Sequence, residues 1–422
     1  MVRKLTPREL RQRRATIKFA KIFLSLTVGF WFLSSVPYIV IRAGSYLDNR
    51  GLLGEAPWTV KSKDICGHSL EKNAEGRVIV VTGANSGIGY EAAKTLALLN
   101  ADKVVLGCRG KEKCAYSKAM IDAERQSLCF KGFEKDFESN VIDPGLNLDL
   151  GDLEGVEKWA TALSSTEGIT YVSDLVLNAG IMSTPLEPRN EGTGLENQLH
   201  TNHVAHFYLT SLMLPLLESV SAVEDAVKSS KVVTIASLAA QSPFSFDLSD
   251  INFTKGRSFA SLTAYSQSKR ANLLFAQHVH DSLNPKGIKS LAAHPGYTRT
   301  SLFHNNWHFL PKQLEFIKDL AAENTLFSMS SFDGSMMTVR AILDENIPSG
   351  SYVTPMLYAV GTPVVSKPKN AKWYNLGYER GEVMYPFMEN TWSWIWGGFG
   401  YSKEDVEGLN VWTEGITGVS VK

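Results

Sequence analysis

The stretch "TAYSQSKRAN" sets Tyr265 four residues before Lys269. On a helix that spacing puts both side chains on one face, one turn apart. An ammonium near a phenol favours the phenolate and lowers a pKa that is ordinarily about 10. A tyrosine so placed can protonate a carbonyl oxygen or deprotonate an alcohol near neutral pH. Ser237, in "VVTIASLAA", follows an apolar run upstream, where a hydroxyl can orient and polarise a substrate oxygen. The pair alone is a weak signal, because a chain with fourteen tyrosines meets this spacing about once by chance.

A second motif could hold a charged ligand. "VTGANSGIGY" places Gly83, Gly87 and Gly89 between the apolar run Val78–Val81 and the helix-compatible stretch Glu91–Leu96. Glycines there let backbone approach a pyrophosphate while the new helix points its free N–H groups at the charge. A plain tight turn is the competing use. The spacing is TGxxxGIG, not the commoner GxGxxG. At the end of the next apolar run, "VVLGCRG", stands Arg109, where an NAD site would often place an acid for the ribose 2′-hydroxyl. A guanidinium suits a 2′-phosphate through charge and paired hydrogen bonds, which favours NADP(H). A solvated surface arginine is the alternative for this residue alone. "DLVLNAGI" sets Asn178 just after another apolar run, and "NLDL" sets Asp149 and Leu150 after a third.

The elements that would carry these residues alternate. Val78–Val81, Lys103–Gly107, Gly145–Leu148, Asp174–Leu177, Lys231–Ile235 and Ile288–Ala293 read as strands. Helical stretches lie near 87–100, 111–127, 153–164, 193–219 and 263–283. Near-continuous apolar strands alternating with helices imply a parallel sheet covered on both faces. The expected fold class is α/β, a Rossmann-type doubly wound sheet whose ligands sit beyond the carboxyl ends of the strands.

In order and placement these motifs resemble the short-chain dehydrogenase/reductase family over roughly residues 75 to 355. TGxxxGIG, NAG, a strand-end serine, YxxxK and "HPGYTRT" occur in the family's sequence. The resemblance implies that Gly83, Ser86, Gly87, Ile88 and Gly89 surround the pyrophosphate, and that Asp149 and Leu150 border the adenine. Asn178 would lie beside the adenosine ribose, and Lys269 would bind the nicotinamide ribose. Pro295, Gly296 and Thr300 match the segment lining the nicotinamide. Asn202, in "HTNHVAHF", corresponds to the family's helix asparagine, which holds a water linking the lysine to proton exchange. The implied active set is Asn202, Ser237, Tyr265 and Lys269, with the tyrosine trading a proton and the cofactor a hydride. "GCRG", "NHVAHF" and the long gap between Ser237 and Tyr265 look most like retinol dehydrogenases and their relatives. That likeness implies NADP(H), an N-terminal membrane anchor and a lipophilic carbonyl or alcohol of retinoid, sterol, isoprenoid or fatty type. The reading from another class is a nucleotide-binding scaffold or sensor without turnover; the complete four-residue set argues against it.

Composition bounds the rest. The 422 residues are 44% hydrophobic, enough for a sizeable core, and the formal net charge is zero, which offers no general field for nucleic acid. The four cysteines, Cys66, Cys108, Cys114 and Cys129, show no metal-type spacing and read as too few for a disulfide framework. His200, His203 and His206 recur at three-residue spacing without a companion ligand set, so no metal is expected and helix packing is the preferred reading. Residues 1–21 are basic, and residues 22–41 run twenty residues without a charge. At 1.5 Å rise per residue that run reaches about 30 Å, the thickness of a bilayer core. A transmembrane anchor at 22–41 and a linker at 42–74 are therefore expected before a catalytic domain at 75–355. The basic cluster favours a cytosolic N-terminus, which for a single span places the domain in a lumen. A hairpin or interfacial anchor would keep it cytosolic. The endoplasmic reticulum is the expected membrane, with mitochondrial membrane and lipid droplet as alternatives. Residues 356–408, with "TWSWIWGGFGY", read as a Trp-rich insertion that packs on the body or meets membrane lipid, before a tail at 409–422. A homo-dimer is a further expectation of the class.

Overall fold

The computed structural model describes residues 58, 60–67, 72–132, 137–224, 226–227, 229–241, 246–298, 329–355, 363–367, 379–380 and 402–422. The expected basic segment at 1–21, the anchor at 22–41, most of the linker, Thr300 and the Trp-rich run lie outside them. Among the described residues no helix is long and apolar enough to cross a membrane.

Nine strands form one sheet: β1 Val78–Thr82, β2 Lys103–Gly107, β3 Val141–Ile142, β4 Asp174–Leu177, β5 Ser230–Ile235, β6 Ile288–Ala293, β7 Ser351–Pro355, β8 Pro363–Lys367 and β9 Glu379–Arg380. Their order is β3-β2-β1-β4-β5-β6-β7-β8-β9. The first seven run parallel, and β8 and β9 close the edge antiparallel. The helices are α1 Gly87–Leu98, α2 Lys111–Cys129, α3 Leu153–Ser164, α4 Ala205–Glu218, α5 Ser261–Leu283, α6 Ser331–Leu343 and α7 Lys403–Thr417. This is the expected doubly wound Rossmann architecture.

Side chains alternate along each strand, so each strand feeds two cores. Ile79, Val81, Val104 and Leu106 pack with residues of α1, α2 and α6 on one face. Val78, Val80, Leu175 and Leu177 pack with Trp159 of α3, Phe207 of α4 and Phe275 of α5 on the other. The chain leaves β1 toward β2 on one side and returns as β4 on the other. The connections diverge there and open a crevice at the carboxyl ends of β1 and β4.

Two expectations are corrected. The third strand is Val141–Ile142, not Gly145–Leu148. Asp143 accepts a hydrogen bond from the backbone of Gly145, which has φ +69°, and this turn ends the strand. Leu148 then keeps a single backbone bond to Cys108 O, at 2.7 Å. The cysteines, read as too few for a framework, are all paired: Cys66 with Cys129 and Cys108 with Cys114. Of the expected insertion at 356–408, residues 363–367 and 379–380 form β8 and β9, and residues 403–408 open α7.

Candidate active site

The expected nucleotide side is built where β1 turns into α1. Gly83 and Gly87 have φ of +69° and +58°, conformations that L side chains rarely adopt. Gly89 is needed for space: a Cβ there would lie 2.4 Å from both Asn178 Nδ2 and Gly83 O. Asn178, one residue past β4, faces this turn because its amide donates to Thr82 O at 2.8 Å. Ser86 caps α1 without spending its hydroxyl on the cap, and it is exposed at the helix N-terminus. Ile88 is half-buried in the first turn of α1. A backbone cradle, a free hydroxyl and the positive end of a helix suit a pyrophosphate.

Arg109 stands exposed just past β2, beside the Cys108–Cys114 bridge. Asp149 is half-buried and accepts from Gly151 N at 2.9 Å, while Leu150 beside it is buried. Both follow the short β3 along the same edge. Gly296 has φ +72° and donates to His294 Nδ1 at 3.0 Å, and Pro295 precedes it at the end of β6.

The reacting side is built on α5, on the loop after β5 and on the entry to α4. Tyr265 and Lys269 are both buried on α5. Ser237 shares a side-chain hydrogen bond with Tyr265. Lys269 Nζ donates to Ile235 O at 3.1 Å and lies 6.0 Å from the centre of the Tyr265 ring. Asn202 sits in a π-helical turn, His200–Val204, between a short helical turn and α4. Such turns re-aim side chains at functional sites. Its side chain accepts from Ile181 N at 2.8 Å and donates to Ile181 O and to Ser268 Oγ, both at 2.9 Å. Ser268 in turn donates to Tyr265 O at 2.8 Å. Gly180 completes the contact, since a Cβ there would lie 3.1 Å from Asn202 Oδ1 and 3.3 Å from Lys269 Nζ.

The four expected reacting residues thus converge, and the described nucleotide residues line the adjoining strand ends. Electrostatics departs from the expectation. Burial raises the Tyr265 pKa, and the bond from Ser237 only partly offsets this. Burial also lowers Lys269 to about 8. The ammonium lies over the ring rather than at the hydroxyl, so among the described residues the net effect does not make this phenol acidic.

Sequence reasoning passed over Thr82, whose Oγ1 accepts from the backbone N–H groups of Asn178 and Ala179, each at 2.9 Å. Its place as the last residue of β1 was the available signal. The histidines do not converge: His200 meets Thr193, His203 meets Thr413 and His206 meets Thr82. Among the described residues no group of His, Cys, Asp and Glu is arranged to hold a metal ion.

Fold and site together are those of a doubly wound α/β domain whose glycine turn lies beside a cluster of Ser237, Tyr265, Lys269 and Asn202. Residues 77–247 match the family model described as short chain dehydrogenase, and this segment is of the short-chain dehydrogenase/reductase family. A WW domain-containing oxidoreductase of Homo sapiens is 34% identical over 232 residues, 55% of this chain and 51% of its own length. Retinol dehydrogenase 13 of Homo sapiens is 31% identical over 230 residues, 54% of this chain and 60% of its own. The chain thus spans about half to two thirds of the curated relatives it matches. Among solved structures, an uncharacterized protein from Mycobacterium paratuberculosis superposes with a TM-score of 0.54 at 26% identity, over 87% of this chain and 99% of that one.

Proposed function

We propose that this chain is a membrane-held, NADP(H)-dependent reductase or dehydrogenase for a lipophilic carbonyl or alcohol. The convergence of Ser237, Tyr265, Lys269 and Asn202 beside the glycine cradle carries this reading. Bound at that edge, the nicotinamide supplies or accepts hydride. The phenol of Tyr265, held protonated by burial, suits the general acid that donates to a substrate oxygen. Ser237 hydrogen-bonds that oxygen as charge develops on it. Lys269 and Asn202 sit against Gly180, where they can orient a ribose and hold a water for proton exchange. Arg109 supports NADP(H) by its exposed guanidinium at the end of β2.

Retinol dehydrogenase 13 is named for an alcohol of the lipophilic kind, which supports the substrate class. The uncharged run at 22–41 supports the anchor. Two disulfides favour an oxidising compartment and so support the topology that places the domain in a lumen. Asn252 opens the glycosylation sequon Asn252-Phe253-Thr254, but a glycan there is a poor reporter of that topology, because the Asn252 amide is engaged with Gly194 O and Glu196 N. Labelling of Cys66 and Cys129 in intact vesicles, before and after reduction, reports the compartment instead.

The decisive assay is NADPH oxidation with a panel of aldehydes and ketones, wild type against Tyr265→Phe. Turnover confined to wild type supports the proposal. NADPH binding without turnover on any lipid extract transfers the assignment to a scaffold or sensor.

A further inference from the structure

We infer that His206, on α4, is a positioning residue that locks the nucleotide cradle to the Asn202 turn. The inference rests on the nucleotide-dependent reading above. His206 is buried, and its two ring nitrogens reach two different parts of the site. Nδ1 lies 3.0 Å from Asn202 O, and Nε2 lies 3.0 Å from Thr82 Oγ1.

Donor and acceptor accounting fixes the direction of each bond. A carbonyl oxygen only accepts, so Nδ1 carries the ring proton and donates to Asn202 O. Nε2 is then a bare acceptor. Thr82 Oγ1 already spends both lone pairs on the N–H groups of Asn178 and Ala179. Its proton therefore goes to Nε2, since the alternative acceptor, Val176 O, lies farther away at 3.3 Å. Every polar atom in this chain of bonds is satisfied only with a neutral imidazole. Burial supports that state and holds the ring at about 4, with the Lys269 ammonium opposing a second charge.

The bonds close a ring. Thr82 ends β1 and holds the backbone after β4, which includes Gly180 beyond Ala179. Gly180 abuts Asn202 Oδ1 and Lys269 Nζ. Asn202 holds Ile181 on both its amide and carbonyl sides. His206 returns from Asn202 to Thr82. The turn that cradles the pyrophosphate and the turn that carries the proton-exchange asparagine are thereby set in one register.

The test is NADPH binding by fluorescence titration on His206→Phe, His206→Gln, Thr82→Val and the double variant Thr82→Val/His206→Phe, with kcat measured in parallel. Stranding a buried partner predicts about tenfold weaker NADPH for His206→Phe and for Thr82→Val. Glutamine carries a donor and an acceptor at similar separation, so His206→Gln is expected to bind within about twofold of wild type. If the two residues act as one unit, the double variant loses no more than about twofold beyond the worse single. Losses that multiply in the double variant overturn the inference, as does wild-type affinity in a folded His206→Phe. So does a folded His206→Gln that is as impaired as the phenylalanine variant. Where His206→Phe does not fold, Thr82→Val and His206→Gln decide by the same thresholds. Wild type that binds no nicotinamide nucleotide removes the functional reading itself, whereas wild-type binding with indifferent variants removes this inference alone.

Discussion

The two edges of the sheet treat buried charge in opposite ways. At the amino-terminal edge Arg77, 2% exposed, donates through Nη1 to both oxygens of Asp174, at 3.0 and 2.8 Å, and Ser173 Oγ adds a bond to the same carboxylate at 2.7 Å. Glu345 joins from beyond α6 with Arg77 and Lys231, and Lys231 also reaches the carbonyl of Ile342 at the end of that helix. Each charge there has a counter-charge. At the carboxyl-terminal edge Lys269 is equally buried, and among the described residues it meets the carbonyl of Ile235 and the face of a tyrosine ring. The first edge ties β1, β4, β5 and α6 together. Among the described residues the second keeps a cation without a counter-charge and, at the start of α1, the hydroxyl of Ser86 unused by its cap, where a ligand would complete them. Saturation marks the edge that serves stability, and incompleteness marks the edge that serves chemistry.

Four perturbations sharpen this contrast. The largest acts at the carboxyl-terminal edge. Replacing Tyr265 by Phe removes the proton donor and keeps the ring, so kcat is expected to fall about 10²- to 10⁴-fold. NADPH affinity and melting temperature should stay near wild type. A Tyr265→Phe protein that turns over normally would remove Tyr265 from the mechanism and leave the site without an acid.

At the opposite edge the effects should invert. Asp174→Ala removes the fully buried partner of Arg77 and leaves it the half-exposed Glu345, and breaking a buried pair in this way costs about 3–5 kcal/mol. Urea unfolding should report that loss, while kcat per folded molecule stays unchanged. A large fall in kcat without a fall in stability would show that the two edges are not separable.

That separation bears on what could be read from residues alone. β1, β2, β4, β5 and β6 were legible because each is a short apolar run between turn residues. The same logic failed at β3, where "GLNLDL" alternates like a strand but follows the Asp143–Gly145 turn. The Tyr265–Lys269 face was legible because helical geometry is local. The electrostatic consequence was not, because it depends on burial and on where Nζ finds its acceptor. The π-helical turn at Asn202 escaped a reading based on a 3.6-residue period. Cys66 and Cys129 are 63 residues apart, a separation that says nothing about the 5.4 Å between their Cα atoms.

Lys269 gives the third perturbation a definite sign. Its folded pKa of about 8 lies below the ordinary 10.5. Between those values the unfolded chain binds the proton and the folded chain does not, so stability rises with pH across that window. Below about 8 the penalty for holding the charge is present in full. Lys269→Met should therefore stabilise the nucleotide-free protein at pH 7, by up to about 3 kcal/mol at 1.36 kcal/mol per pKa unit. The gain should shrink toward pH 10.5 and coincide with lost turnover. Melting curves at pH 7 and pH 10 would check it; a destabilised variant at pH 7 would mean that the ammonium is compensated by a group other than Ile235 O.

The smallest effect concerns the rim of the functional edge. Arg109 is exposed, so nothing in the fold depends on its charge, and Arg109→Ala should leave the melting temperature unchanged. Its guanidinium would matter only to a ligand with a phosphate on the adenosine ribose. A charge-assisted hydrogen bond is worth about 1.5–3 kcal/mol, so NADPH binding should weaken roughly 10- to 100-fold while NADH binding changes little. Direct titration of both nucleotides separates the cases. Equal weakening of NADPH and NADH would mean that Arg109 supports the β2–α2 loop rather than reading the phosphate. The incompleteness at this edge would then belong to the pyrophosphate cradle and the Lys269 pocket alone.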